Sequence, residues 1–167
     1  RKTYLSLELG LQSIHDRTLA LINRGHTAAE FHDAVRRART RGIELCVHVI
    51  LGQPGETRAD MLDTARALAA LDIAGIKIHL QYIVRGTELH RLYERGEYRC
   101  LSREEYVDIL AEFLALLPPE MVIHRLTGDP HRDELVAPAW ALEKEITRRA
   151  LLDTLRERGL RQGCRIG

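Results

Sequence analysis

The segment Glu8-Leu9-Gly10-Leu11-Gln12-Ser13 spaces a carboxylate, a glycine and a carboxamide two residues apart. In an extended chain all three share one face. Gly10 lets a ligand approach the backbone, and Gln12 offers a donor and an acceptor to hydroxyls. The structural alternative is a glycine fitted to a crowded strand end and a glutamine bonded to the next loop. Arg24, twelve residues after Gln12, is either a cation beside a helix C-terminus or a guanidinium that binds a carboxylate bidentately. His48-Val49-Ile50-Leu51-Gly52-Gln53-Pro54-Gly55-Glu56 runs from an apolar strand into a glycine-proline loop. Gly52 and its neighbours there permit close contact with a flat or anionic ligand, although no dinucleotide fingerprint or phosphate loop is present. His79 and Gln81, with His124, Arg125 and Asp129 further on, add polar groups suited to recognising a compact polar substrate. His48, His79 and Glu8 form no i,i+4 ligand pair or acidic cluster, so no metal site is assigned. No G-x-S-x-G elbow supports a Ser/His/Asp triad, and no single catalytic residue stands out.

These groups need strands and helices to position them. Residues 4–11 alternate, with Leu5, Leu7, Leu9 and Leu11 on one face, and the pattern recurs at 43–51 and 75–84. A fourth strand is predicted at 121–126. Ser13/Asp16, Thr27/Glu30, Thr57/Asp60 and Ser102/Glu105 read as capping boxes opening helices. The first helix ends near Arg24, with Gly25 able to take the left-handed position after it. A short helix over 88–95 and a terminal helix from Trp140 to Arg158 complete the pattern. Strands joined by helices imply parallel βα units. In the first three strands one face is aliphatic, whereas the other carries Glu8, Gln12, His48, His79 and Gln81. Aliphatic outward and polar inward suits a barrel with a ligand-filled lumen better than a doubly wound sheet, whose central strands are apolar on both faces. A full eight-fold barrel takes about 250 residues, so 167 residues supply part of one.

Composition narrows the classes. With 45% hydrophobic and 29% charged residues the chain is globular. No apolar run is long enough to span a bilayer and no signal peptide is visible, so a soluble, cytoplasmic protein is expected. The chain opens on Arg1 within what reads as a strand, so a longer gene product is expected. Cys46, Cys100 and Cys164 form no C-x-x-C pair. The net charge of +1 and eight aromatic residues disfavour extended RNA contacts.

Together, Glu8 to Ser13, Ile22-Asn23-Arg24-Gly25-His26, Gly42 through Thr57, and Ile78-His79-Leu80-Gln81-Tyr82 resemble the second half of a radical SAM protein. The resemblance is to a bacterial family related to oxygen-independent coproporphyrinogen oxidase and the Elongator catalytic subunit, and residues 124–129 are similar to its C-terminal signature. It implies the C-terminal half of a partial (β/α)6 TIM-like barrel over 1–127, with a C-terminal helical extension over 128–167. It also implies S-adenosylmethionine (SAM) and a 4Fe-4S cluster, whose reduction would release a 5′-deoxyadenosyl radical. Glu8, Gly10, Gln12, Arg24, His48 and Gly52 would then be cofactor-binding, with Gln12 at the SAM ribose and Arg24 at its carboxylate. His48 falls where relatives often carry an aspartate. His79, Gln81, His124, Arg125 and Asp129 are the substrate candidates. The C-x-x-x-C-x-x-C cluster loop is absent from these residues, so the cluster ligands are expected outside this segment, which would be inactive alone. The implied partners are a flavodoxin or ferredoxin reductant and a small molecule or protein side chain as substrate, with tRNA less favoured. The rival classes are a barrel-derived binding module, an Elongator-like RNA-modifying enzyme, and a barrel lyase or aldolase. The last lacks an inward lysine in a clear Schiff-base setting.

Overall fold

The computed structural model describes residues 5–166, so Tyr4, expected in the first strand, lies outside the described residues. In chain order the elements are β1 (Ser6–Gln12), α1 (Asp16–Leu21), α2 (Ala28–Arg39), β2 (Glu44–Leu51), α3 (Arg58–Ala69), β3 (Gly75–Leu80), β4 (Ile83–Val84), α4 (Glu88–Glu94), α5 (Arg103–Leu116), β5 (Val122–Arg125), β6 (Leu135–Ala137) and α6 (Lys144–Glu157). The four expected strands form one parallel sheet in the order β1-β2-β3-β5. The register aligns Leu9 with Val47, Val47 with Ile76 and Ile76 with Ile123. This aliphatic row packs beneath α3 and α5, where Met61, Ala65, Leu68, Tyr106, Leu110 and Phe113 are buried in the same core. Each such side chain contributes roughly 1.5–3 kcal/mol of burial. Glu8, Cys46, His48, Lys77 and His79 alternate with the row, which puts them on the other face.

Three of the four capping boxes form, at Thr27/Glu30, Thr57/Asp60 and Ser102/Glu105. Ser13/Asp16 does not. The N-cap of α1 is His15, Ser13 Oγ is spent on Glu56, and Asp16 Oδ1 accepts from the Ala28 amide at the start of α2 at 2.7 Å. The left-handed residue after α1 is Asn23 (φ 54°), two positions before Gly25. The Arg24 amide bonds Leu19 O and the Asn23 amide bonds Ala20 O, the paired bonds of a Schellman ending. Arg24 therefore lies just past the helix.

The third strand ends at Leu80, not at residue 84, because β2 stops at Leu51 and leaves no parallel partner beyond. Ile83 and Val84 turn away and pair antiparallel with β6, an element the alternation did not reveal. Residues 139–142 form a separate 3-10 turn before α6. Ala141 and Leu151 join the common core, so the C-terminal segment packs on the sheet's helical layer. The aliphatic face of β1 is covered only at its carboxyl end, with Leu11 buried and Leu5 and Leu7 exposed.

Candidate functional site

The carboxyl ends of β1, β2 and β3 meet two connected clefts. The larger, about 750 Å³, is lined by Gln12, Ile22, Arg24, Gln53, Pro54 and Leu89, among others. The smaller, about 350 Å³, runs along the polar face past His48, His79 and Gln81. Gln12, Gln81 and Tyr82 border both.

β1 is bulged between Gly10 and Gln12, and Gln12 takes a left-handed φ of 72°. The Gly10 carbonyl exposed by this geometry accepts from Arg24 Nη2 at 2.8 Å and Nε at 3.2 Å, with His26 Nε2 at 3.0 Å. A Cβ on residue 10 would stand 2.5 Å from Arg24 Nη2 and 2.9 Å from Gln12 Nε2. Glycine at this position is therefore a condition for the arginine to reach the strand. Among the described residues no carboxylate pairs with Arg24. Gln12 Oε1 and Gln53 Nε2 are both buried without a hydrogen-bond partner. Leaving a buried amide atom unpaired costs about 1–3 kcal/mol, a deficit that a polar ligand removes.

β2 delivers the second set. Pro54 and Gly55 (φ 76°) form a turn closed by the Glu56 amide on Gln53 O at 3.1 Å, and this turn presents Gln53. Gly52 (φ 88°) sits under Leu101, and its carbonyl accepts from Tyr98 Oη at 2.7 Å.

Towards the amino end of the same face, exposed Glu8 accepts from Lys77 Nζ at 2.6 Å and from His48 Nε2 at 2.7 Å. The Lys77 bond, then the His48 bond, holds the Glu8 carboxyl below its ordinary range. Glu8 therefore serves as the counter-ion of this network, below the larger cleft. His48 stacks on His79 at 5.3 Å and 20°. Burial, followed by the charges of Arg125, His48 and Lys77, pushes His79 down to about 4. It is neutral at pH 7, and its Nε2 is buried without a partner. His79 and Gln81 thus share the smaller cleft with His48. His124 and Arg125 instead line a separate cleft against α6, and Asp129 pairs with Lys144 beside it. The structure divides the substrate candidates into two groups.

Lys77, Gln53 and His26 are site residues that pattern reading passed over. Lys77 lies near the amino end of its strand, and Gln53 sits inside the glycine-proline motif, where neither pattern nor spacing marks it out. The partners of Lys77 and His26 are remote in sequence, Glu8 being 69 residues from Lys77 and the Gly10 carbonyl 16 from His26. His15, Asp60 and Asp63 also converge, with ligand-capable atoms within 4.8 Å. Asp60, however, is held by Arg17 at 2.6 Å and by the Thr57 cap, so the group is a helix N-terminus and not a metal centre.

A parallel α/β sheet with clefts at its strand carboxyl ends is the arrangement in which α/β barrels and related folds place their sites. The Radical SAM superfamily matches residues 2–68 and the Radical SAM C-terminal domain matches residues 73–157. The chain belongs to the radical SAM superfamily. The uncharacterized protein YtqA of Bacillus subtilis (strain 168) is 42% identical over 162 residues, covering 97% of this chain and 50% of that protein. Human Elongator complex protein 3 is 28% identical over 126 residues, covering 74% of this chain and 23% of that one. The solved structure of Methanocaldococcus infernus Elp3 with an N-terminal deletion superposes with a TM-score of 0.80 at 22% identity. It covers 95% of this chain and 37% of that chain, and it shares the partial-barrel fold. The chain spans about half the length of the bacterial and archaeal relatives it matches.

Proposed function

We propose that this chain holds S-adenosylmethionine in the larger cleft as part of a radical SAM enzyme. The observation that carries the reading is the convergence of two unpaired buried amides, Gln12 and Gln53, with the carboxylate-free Arg24 on one cleft. One acceptor, Gln12 Oε1, with two donors, Gln53 Nε2 and the Arg24 guanidinium, fits a ligand with hydroxyls, a carboxylate and an apolar-faced ring, since Ile22, Pro54 and Leu89 supply the apolar wall. In this reading Gln12 bonds the ribose, Arg24 turns a guanidinium edge to the carboxylate, and Gln53 satisfies a polar edge of the ligand. Gly10 keeps the backbone low enough for Arg24 to reach across. With a reduced 4Fe-4S cluster, SAM supplies hydrogen-abstracting radical chemistry. Cys46 on β2, Cys100 before α5 and Cys164 after α6 stand on three separate elements and do not fit a cluster loop. A cluster would draw its thiolates from outside these 167 residues, and its electron from a flavodoxin or ferredoxin.

The smaller cleft, with neutral His79 beside His48 and Gln81, is the proposed substrate end, suited to a compact polar group on a small molecule or a protein side chain. The kinship with Elongator complex protein 3 keeps an RNA substrate as the second reading. The chain's net charge of +1 argues against extended phosphate contacts by this portion. Among the described residues no helix is long and apolar enough to cross a membrane.

The test is calorimetry of SAM with the full-length protein. Arg24→Ala should weaken binding by about 2–4 kcal/mol, the cost of stranding a charged partner. Unchanged affinity would reduce Arg24 to a tie on the Gly10 carbonyl.

A further inference from the structure

The loop geometry around Gln12 needs an explanation that the cofactor contacts do not supply. A non-glycine residue at φ 72° is unfavourable by about 1–2 kcal/mol and persists only where its surroundings hold it. What holds it begins at the next residue. Ser13 is buried, donates from Oγ to Glu56 Oε1 and accepts from the His15 amide at 3.1 Å. The Ile14 amide donates to Thr64 Oγ1 on α3 at 3.2 Å. The buried Thr18 hydroxyl of α1 also favours the charged form of the Glu56 carboxyl. The Glu56 amide closes the turn that begins at Gln53. One side chain therefore joins the β1–α1 connection, which carries Gln12, to the β2–α3 connection, which carries Gln53. Those two residues bear the unpaired amide atoms of the cleft.

We infer that Glu56 is a positioning residue that locks the Gln12 bulge to the Gln53 turn through Ser13 and so sets the spacing of the two amides that grip the cofactor. This rests on the SAM reading for the identity of the ligand, but the locking itself does not. Burial pushes the Glu56 carboxyl up, against the bonds from Ser13 and Thr18 and the nearby His15. A polar carboxyl group placed there despite burial is an expensive way to fill space unless its hydrogen bonds are what the site needs. Gln in its place retains an acceptor for Ser13, whereas Ala retains none.

The experiment compares Glu56→Ala, Glu56→Gln and Ser13→Ala in the full-length protein with Glu112→Ala, a change on α5 away from the cleft. The readouts are SAM affinity by calorimetry, thermal midpoint, and the Gln12 side-chain amide resonance in the ligand-free protein. Glu56→Ala and Ser13→Ala should each shift the Gln12 resonance and weaken SAM at least about tenfold, or 1.4 kcal/mol. The double variant should lose little more than either single one, and Glu56→Gln should recover most of the affinity. Glu112→Ala should lower the thermal midpoint and leave the Gln12 resonance in place. An unmoved Gln12 amide in Glu56→Ala and Ser13→Ala overturns the proposal whatever the affinity does. A wild-type protein that ignores SAM, while the Gln12 amide still moves in the variants, refutes the cofactor reading and leaves the positioning role standing. Should Glu56→Ala fail to fold, Ser13→Ala decides alone.

Discussion

Gly10 and His79 show how single residues set the properties of the site. Gly10 is in strand conformation without a positive φ, so alanine is acceptable to the backbone and only the added methyl matters. That methyl meets the flexible ends of Arg24 and Gln12, which can move aside. Gly10→Ala is therefore expected to leave stability within about 1 kcal/mol and, on the proposed function, to weaken SAM about tenfold by displacing both side chains. Equal SAM affinity by calorimetry would show that neither side chain needs its present place. His79 makes a prediction about pH. Its folded value of about 4 lies below the ordinary 6.5, so the unfolded chain binds a proton that the folded one refuses. Stability should then rise with pH from about 4 to 6.5 and this contribution should be flat above. Denaturant unfolding at a series of pH values would check it. A His79→Asn variant should lose that part of the slope, and an unchanged slope would mean the histidine is not held neutral.

The C-terminal helix is tied to the barrel at the level of elements by charge as well as by packing. Arg58 of α3 bonds Asp108 at 2.6 Å and Glu112 at 2.9 Å, and Arg158, just past α6, bonds the same two carboxylates. Glu112 is the better buried of the two acids, with 17% of its side chain exposed. Burial alone would raise it, but the Arg158 and Arg58 bonds outweigh burial and hold it below its ordinary 4.5. Glu112→Ala leaves three guanidinium groups short of a partner and should destabilise the fold by about 1–2 kcal/mol, a few degrees in thermal midpoint. Because the folded value is depressed, this stabilisation is complete above about pH 4.5 and is lost as the pH falls below it. At pH 3 the variant and the parent should therefore lie closer in midpoint than at pH 7. An undiminished gap would assign the effect to packing.

Among the described residues the sheet is open on both sides at the scale of the molecule, since β1 and β5 each have one strand neighbour. Its polar face carries the Glu8–Lys77–His48 network and the stacked histidines, the arrangement expected of a barrel lumen. The three thiols do not converge: Cys46 is buried, Cys100 is half-buried with its thiol pushed up to about 11 by burial, and Cys164 is exposed. Anaerobic reconstitution of residues 1–167 with iron and sulfide should accordingly give no 4Fe-4S charge-transfer absorption. A stoichiometric cluster on this chain would overturn the assignment of its ligands elsewhere.

Period-2 alternation was enough to mark the polar face of the strands, because register on a one-sided core strand flips every side chain if it slips by one, and the helices between them implied that they run parallel. Local caps were legible for the same reason: Thr57 and Asp60 need only each other, three residues apart. The family resemblance likewise rode on contiguous segments, from Glu8 to Ser13 and from Leu51 to Glu56. What needed the tertiary structure was every bond between remote residues. Ser13 looked like a cap for Asp16, yet folding brought a buried carboxylate 43 residues away to its hydroxyl, and that partner won. Lys77 looked idle at the start of its strand until β1, lying two strands away across β2, supplied Glu8. The third strand read as ten residues because alternation continues past Leu80, while the loss of a parallel neighbour beyond Leu51 ended it. Side-chain pattern records which face a residue prefers, whereas partner choice is settled only when the sheet fixes which residues compete for the same donor.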